Sequence, residues 1–274
     1  MPNVNVTYPA DGVGLIAVDN PPMNFITYAL LAEMGAALEA IEEAGARVVV
    51  IASDVPGYFM AHAWIPDIID VFEGGEPSGD PRNWFRVLQD LRSGPLVSIA
   101  ANNGQAWGGG AEISWACNLR IASESSTYAQ PEVLAGMIPG AGGTTRLARI
   151  VGEARCLEIV LDGQPITAQE AHRIGAVNQV VPDAQLREAA IAWGARLASR
   201  PAHALAGCKR SVLEGLDLPM EQAVRNEGKI LVPIVARPES LEILRSVQAK
   251  YDAGADSYEA LGLETRPPAS PSAS

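Results

Sequence analysis

Short apolar runs alternate with helix-spaced apolar positions from Val4 to Val181. Val4 to Tyr8 and Val13 to Val18 are β-type runs split by the turn Pro9-Ala-Asp-Gly12, which predicts a hairpin or two neighbouring strands. Leu30, Leu31, Met34, Leu38 and Ile41 then recur near the helical period. Gly45 breaks that pattern, and the β-branched run Val48 to Ile51 predicts the next strand. The rhythm repeats, with a helix over Trp84 to Leu91, a buried strand over Leu96 to Ala100, a short apolar helix over Ala111 to Cys117 and a strand over Leu119 to Ala122. Such alternation predicts an α/β core with helices packed on a largely parallel sheet.

After Gly143 the pattern turns helical. Thr144 to Ile150, Ala154 to Leu161 and Ala168 to Ile174 read as helices, interrupted by the apolar stretch Val177 to Val181. From Ala184 onward Ala184 to Ser199, Ala202 to Leu213, Met220 to Ala236 and Glu239 to Tyr251 are all helix-like, and Pro201 and Pro238 sit at helix starts, where proline is tolerated. The expected organisation is an α/β core over 1–199, an α-helical C-terminal region over 200–265 and a disordered tail over 266–274, where Arg-Pro-Pro-Ala-Ser-Pro-Ser-Ala-Ser lacks any apolar period.

Composition narrows the function classes. A formal net charge of −12 without clustered Lys or Arg argues against a nucleic-acid surface, although a few placed cations still suffice for an anionic cofactor. Cys117, Cys156 and Cys208 form no CxxC pair and read as small buried hydrophobes in a reducing compartment. The N-terminus carries no basic stretch followed by an apolar one, and no run approaches the ~20 apolar residues of a membrane helix. A cytoplasmic protein without membrane contact is expected.

Candidate chemistry begins at Trp107-Gly-Gly-Gly-Ala-Glu112-Ile-Ser-Trp-Ala-Cys117. Three glycines after a buried strand let the backbone turn sharply and approach a ligand, and the helix that follows aims free N–H groups at that spot. Taken alone, a glycine run is more often a structural strand-to-helix turn. Glu112 sharpens the reading because it is the only charge in an apolar helix, so it is partly buried, faces a cleft, or marks a solvated outer face. A second carboxylate, Glu132, lies among the prolines and glycines of Ala129-Gln-Pro-Glu132-Val-Leu-Ala-Gly136-Met-Ile-Pro-Gly140-Ala-Gly-Gly143-Thr. Two carboxylates at one ligand divide acid and base roles when their environments separate their pKa values.

Other constellations fare worse. His62, His172 and His203 lack metal-ligand spacing, so no metal is expected. There is no GxSxG elbow and no GxxxxGK[ST] loop, and Gly140, Gly142 and Gly143 do not make a dinucleotide fingerprint.

Over roughly Val6 to Tyr251 the chain resembles the crotonase (enoyl-CoA hydratase/isomerase) family. The resemblance rests on Ala100-Ala-Asn-Asn-Gly-Gln-Ala-Trp-Gly-Gly-Gly-Ala-Glu-Ile, Tyr128-Ala-Gln-Pro-Glu-Val and Gly136-Met-Ile-Pro-Gly-Ala-Gly-Gly-Thr-Thr-Arg-Leu, in that order and spacing. Pro21-Pro-Met-Asn24 and Ile166-Thr-Ala-Gln-Glu-Ala-His-Arg-Ile-Gly-Ala-Val177 add weaker support. It implies a spiral of β-β-α units with an α-helical C-terminal region that trimerises, giving a homotrimer or homohexamer. It implies an acyl-CoA thioester substrate of the kind met in fatty-acid β-oxidation, with coenzyme A part of the substrate and no separate cofactor. It matches the N–H groups of Ala63 and Gly109 to an oxyanion hole, a device worth about 3 to 4 kcal/mol per donor.

In the hydratase scheme that the resemblance supplies, Glu112 activates water, Glu132 protonates the α-carbon and the Gly140 N–H helps hold the water. Ala61, His62, Trp64 and Pro131 fall beside the matched positions as substrate-binding candidates. The chain departs from the family at Ala61-His62-Ala63-Trp64, where Ala-Gly-x-Asp is usual, and at Cys117-Asn118, where Cys-Asp is usual. A glycine at position 62 would suit a positive φ, which histidine adopts only occasionally. Lys209, Arg210 and Lys250 are the candidates for phosphate contacts, and as solvated helix charges they need no such role. The expected activity is hydration of a 2-enoyl-CoA, with double-bond isomerisation as the alternative and a non-catalytic acyl-CoA binding protein as the reading from another class.

Overall fold

In the strand Val13–Asp19 successive side chains alternate between two faces, and both faces are buried from Val13 to Val18, so the run carries no polar side chain before Asp19. Every residue of Val48–Ser53 and Val97–Asn102 is buried, and these runs are mainly apolar, with Ser53, Ser98 and Asn102 as their polar members. The computed structural model, which describes residues 3–263, assembles these runs into two sheets. The strands are β1 (Asn3–Ala10), β2 (Val13–Asp19), β3 (Val48–Ser53), β4 (Gly57–Met60), β5 (Val97–Asn102), β6 (Gly104–Trp107), β7 (Leu119–Ser123), β8 (Thr127–Ala129), β9 (Ile166–Thr167) and β10 (Gln179–Val181). One sheet runs β1-β2-β3-β5-β7-β10, and the other runs β4-β6-β8-β9. β1 is antiparallel to β2 and β9 to β8, and every other pairing is parallel. From β3 onward the pattern alternates: β3, β5 and β7 of the larger sheet are each followed by a short strand of the smaller one, β4, β6 and β8, the β-β-α spiral that the resemblance implies.

Twelve α-helices are present among the described residues. They are α1 (Tyr28–Glu43), α2 (Ile65–Glu73), α3 (Arg82–Ser93), α4 (Gly109–Ala116), α5 (Thr145–Val151), α6 (Glu153–Asp162), α7 (Ala168–Arg173), α8 (Leu186–Ala198), α9 (Ala202–Gly215), α10 (Met220–Val235), α11 (Pro238–Asp252) and α12 (Ser257–Leu261). Val13, Leu15, Val48, Val50 and Ile99 pack with Leu186 and Ala190 of α8. From the opposite face Ile16, Val49 and Ile51 join Leu30, Met34 and Ile41 of α1, Leu88 of α3, and Phe59 and Tyr128 of the smaller sheet. Thr27 caps α1 by accepting from Leu30 N at 3.0 Å.

The helix α4 is seated between these layers by contact of backbone on backbone. A Cβ added to Gly110 would lie 1.9 Å from the Met60 carbonyl oxygen. We expect Gly110→Ala to lower stability by about 2 kcal/mol or more, because one backbone must move. Gly228→Ala, where a Cβ meets open space inside α10, is the control that should hold the parent melting temperature or raise it slightly, since alanine favours the helix over glycine.

The chain divides into two compact units at Ala206/Gly207, inside α9, rather than at the 199/200 boundary drawn from the pattern. Leu205 still packs on the larger sheet's core, so the first turn of α9 belongs with the first unit. The expected tail 266–274 lies outside the described residues. Among the described residues no helix is long and apolar enough to cross a membrane.

Two expectations need correction. Cys117 and Cys156 are buried, but Cys208 is exposed, because it falls on the outer side of α9 while Gly207 turns inward toward Ile234. The four-stranded sheet went unread as elements, since its strands are two to four residues long, too short for an alternation of polar and apolar positions to develop.

Candidate active site

The turn into α4 begins with the Gly108 N–H, which donates to Ala129 O on β8 at 2.9 Å, and Gly108 takes φ 50°. That positive φ is the reason for glycine there. A Cβ on Gly109 would lie 2.6 Å from the Trp84 ring and 3.2 Å from Ala63 N, so the helix start abuts the segment after β4. As a first-turn group the Gly109 N–H has no intrahelical acceptor.

Ala63 is held by a parallel bridge to Ile26. Ile26 N donates to His62 O at 2.9 Å and Trp64 N donates to Ile26 O at 2.8 Å. These bonds turn the Ala63 N–H and C=O away from Ile26, leaving the N–H without a protein acceptor among the described residues. Two unused N–H groups, those of Ala63 and Gly109, therefore lie side by side. His62 needs no left-handed backbone, since Asn24 (φ 51°) is the only described non-glycine residue with positive φ.

Glu112 is 3% exposed, and its Oε1 accepts from Ala141 N at 2.7 Å and Gly143 N at 2.9 Å. Burial raises its pKa, while the two N–H donors and the Arg146 charge pull the other way. Its Oε2 has no protein donor among the described residues, so one carboxylate oxygen is anchored and the other is left for a ligand. Gly140 is exposed just before the anchoring loop.

Glu132 is half-buried in the 3-10 turn Pro131–Ala135, which Pro131 opens. Burial, with the Glu112 charge adding to it, pushes its pKa up to about 7. Gln130 is fully buried, and with its amide oriented to satisfy both ends it accepts from Trp115 Nε1 at 3.0 Å and donates to the Glu132 oxygens at 3.0 and 3.1 Å. Glu132 Oε1 and His62 Cβ lie 3.1 and 3.5 Å from where a Gly108 Cβ would be, so all three share one spot.

The edge of the site is aromatic. Phe25 meets the His62 ring at 4.8 Å and the Trp64 ring at 5.2 Å between centroids. His62 Nδ1 bonds Ala63 O at 2.7 Å, and Trp64 is 38% exposed. Ala61 is buried and ties the segment inward by donating to Met23 O at 3.1 Å.

A sequence model described as enoyl-CoA hydratase/isomerase matches residues 9–249. The chain belongs to this family. As a crotonase-family member it is 34% identical over 232 residues to the mitochondrial enoyl-CoA hydratase of Pongo abelii, covering 84% of this chain and 79% of that one. It is 32% identical over 243 residues to a probable enoyl-CoA hydratase of Rhizobium meliloti, covering 88% and 93%. The crystal structure of an enoyl-CoA hydratase from Bacillus anthracis superposes with a TM-score of 0.82 at 31% identity, covering 90% of this chain and 96% of that one.

Within this crotonase-family chain Glu112, Glu132, Ala63, Gly109 and His62 gather at one place, whereas Lys209, Arg210 and Lys250 belong to the second unit. Arg210 pairs with Glu214 at 2.6 Å and Lys250 Nζ donates to Ala260 O at 3.3 Å. Reading the sequence gave no role to Gln130, Ile26, Asn24 or Arg146. Asn24 is the most connected of these: its Nδ2 donates to Val18 O, Ser53 Oγ and Phe59 O, and its Oδ1 accepts from Asn20 N at 2.6 Å. A buried amide at positive φ welds the loop before Ile26 to three strands, and only the Asn in Pro-Pro-Met-Asn24 hinted at it.

Proposed function

We propose that the protein is an enoyl-CoA hydratase, adding water across the 2,3 double bond of a 2-enoyl-CoA thioester to give the 3-hydroxyacyl-CoA. The supporting observation is a pair of carboxylates, near enough for the Glu112 charge to raise the Glu132 pKa, at a site with two unused backbone N–H groups. The thioester oxygen accepts from Ala63 N–H and Gly109 N–H. Glu112 Oε2 takes a proton from water as the water oxygen bonds to the β-carbon, and the π electrons move toward the thioester oxygen, where the two donors stabilise the developing negative charge. The enolate then takes the Glu132 proton at the α-carbon. Gly140 N–H, beside the loop that anchors Glu112, is suited to orient the water, and Ala61, His62, Trp64 and Pro131 line the approach.

Assembly as a homotrimer or homohexamer is part of this reading. Val212, Met220, Val224, Val232 and Leu244, all exposed on the second unit, are apolar surface that such an assembly would cover.

Hydration starts with Glu112 ionised and Glu132 protonated, and ends with the proton on the other carboxyl. Both directions therefore use the pair carrying one proton. Since hydration releases no proton to solvent, kcat/KM for hydration and for dehydration must share one bell-shaped pH profile. Its alkaline limb should fall above about pH 7, where Glu132 loses its proton. The test is 2-enoyl-CoA supplied over pH 5 to 9, followed by loss of enoyl absorbance and by a mass gain of one water. Conversion of 3-enoyl to 2-enoyl thioester without hydration would replace this reading by the isomerase one, and binding without either reaction would leave an acyl-CoA binding protein.

A further inference from the structure

Glu112 is anchored by main-chain donors, so whatever fixes the loop Pro139–Gly143 fixes the carboxylate. Arg146, in the first turn of α5, holds that loop twice: its N–H donates to Gly142 O at 2.8 Å and its Nη1 donates to Ala141 O at 2.5 Å. Ala141 is thereby clamped at both ends, its C=O by the guanidinium and its N–H by Glu112 Oε1 at 2.7 Å. Gly142 takes φ 113°, and a Cβ there would lie 2.2 Å from Arg146 Nη1, so the guanidinium rests against bare backbone.

The Arg146 side chain is half-buried and, among the described residues, pairs with no carboxylate within 4 Å. Burial lowers its pKa first and Arg92 adds to that, while Glu112 acts in the opposite sense. The charged groups facing Glu112 are thus Arg146 of α5, with Arg92 of α3 behind it, and Glu132 of the 3-10 turn.

We propose that Arg146 is a positioning residue for Glu112, holding the Ala141–Gly143 donor loop in register with the carboxylate and setting a positive charge beside it. The inference rests on the hydratase reading for what Glu112 then does. A guanidinium suits the task because it donates in a fixed plane and keeps its charge when half-buried.

The test uses Arg146→Gln and Arg146→Lys in the full chain. Arg146→Gln should lower kcat by about 10-fold to 100-fold, the loss seen when partners that orient metal ligands are removed, with KM changed less than about threefold. The carboxyl infrared band of Glu112, isolated by subtracting the Glu112→Gln spectrum, should titrate about one pH unit or more higher than in the parent. Arg146→Lys should restore that midpoint and only part of kcat. A midpoint in Arg146→Gln equal to the parent's overturns the proposal, whatever happens to kcat or melting temperature. If Arg146→Gln does not fold, Arg146→Lys decides alone: lowered kcat with the parent midpoint supports the proposal, and parent-like kcat overturns it. The infrared measurement needs no turnover, so a parent that fails to hydrate removes the hydratase reading while leaving this test in force.

Discussion

Glu112→Gln and Glu132→Gln should each lower hydration turnover by about 10²-fold or more, with thioester affinity changed far less. Glutamine keeps the shape of either side chain, so the loss isolates the proton chemistry. At position 112 the amide oxygen can take the place of Oε1 and still accept from Ala141 N and Gly143 N. The amide NH2 then occupies the free position, where it offers a donor to water instead of an acceptor. At position 132 glutamine fits beside Gln130 but has no acidic proton for the α-carbon. In the proposed mechanism the two carboxyls work as one unit with one proton, so Glu112→Gln/Glu132→Gln together should cost much less than the product of the single losses. Loss of enoyl absorbance gives the rates, and thermal melting checks that each variant is folded. Near-parent turnover in either single variant would remove that residue from the mechanism.

Ala63→Pro tests the backbone half of the site, with an expected fall in kcat of about 10²-fold to 10³-fold. The substitution deletes an N–H that makes no bond within the chain, so the fold loses no internal hydrogen bond by it. The bridge to Ile26 uses the His62 carbonyl and the Trp64 N–H, and both remain in the variant. The new ring must sit near Gly109, which leaves space by lacking a Cβ. Ala63→Ser keeps the N–H and should retain most activity. A well-folded Ala63→Pro enzyme with parent-like kcat would move the oxyanion hole elsewhere.

How far each part was legible follows from chain distance and length. Helix α1 and strands β2, β3 and β5 are long enough for a period to form, and each lies within about two residues of its place in the pattern. Strands β4, β6, β8 and β9 are shorter than a period can reveal and are held by ladder bonds to one another. Glu112 stood out locally, as a lone charge in an apolar helix. The groups that anchor it lie 29 and 31 residues further along, and nothing around Arg146 or Gln130 in the chain marks them as neighbours of a carboxylate. Exposure of Cys208 was equally hidden, since an apolar stretch of helix does not say which of its residues face out.

The two peptide groups that flank Ala63 are both fastened to Ile26 through main-chain atoms alone. The Trp64 side chain takes no part in that fastening and meets Phe25 at the rim, whereas the His62 ring, also against Phe25, adds a bond from Nδ1 to Ala63 O at 2.7 Å. On the proposed reading of Ala63 N–H as an oxyanion donor, the segment separates at Trp64 two properties that are usually entangled in an enzyme, the placing of the donor and the identity of what is admitted beside it. Position 64 is the natural place for a saturation library aimed at a new acyl group, since its side chain can be exchanged while the main-chain bonds that hold Ala63 stay in place.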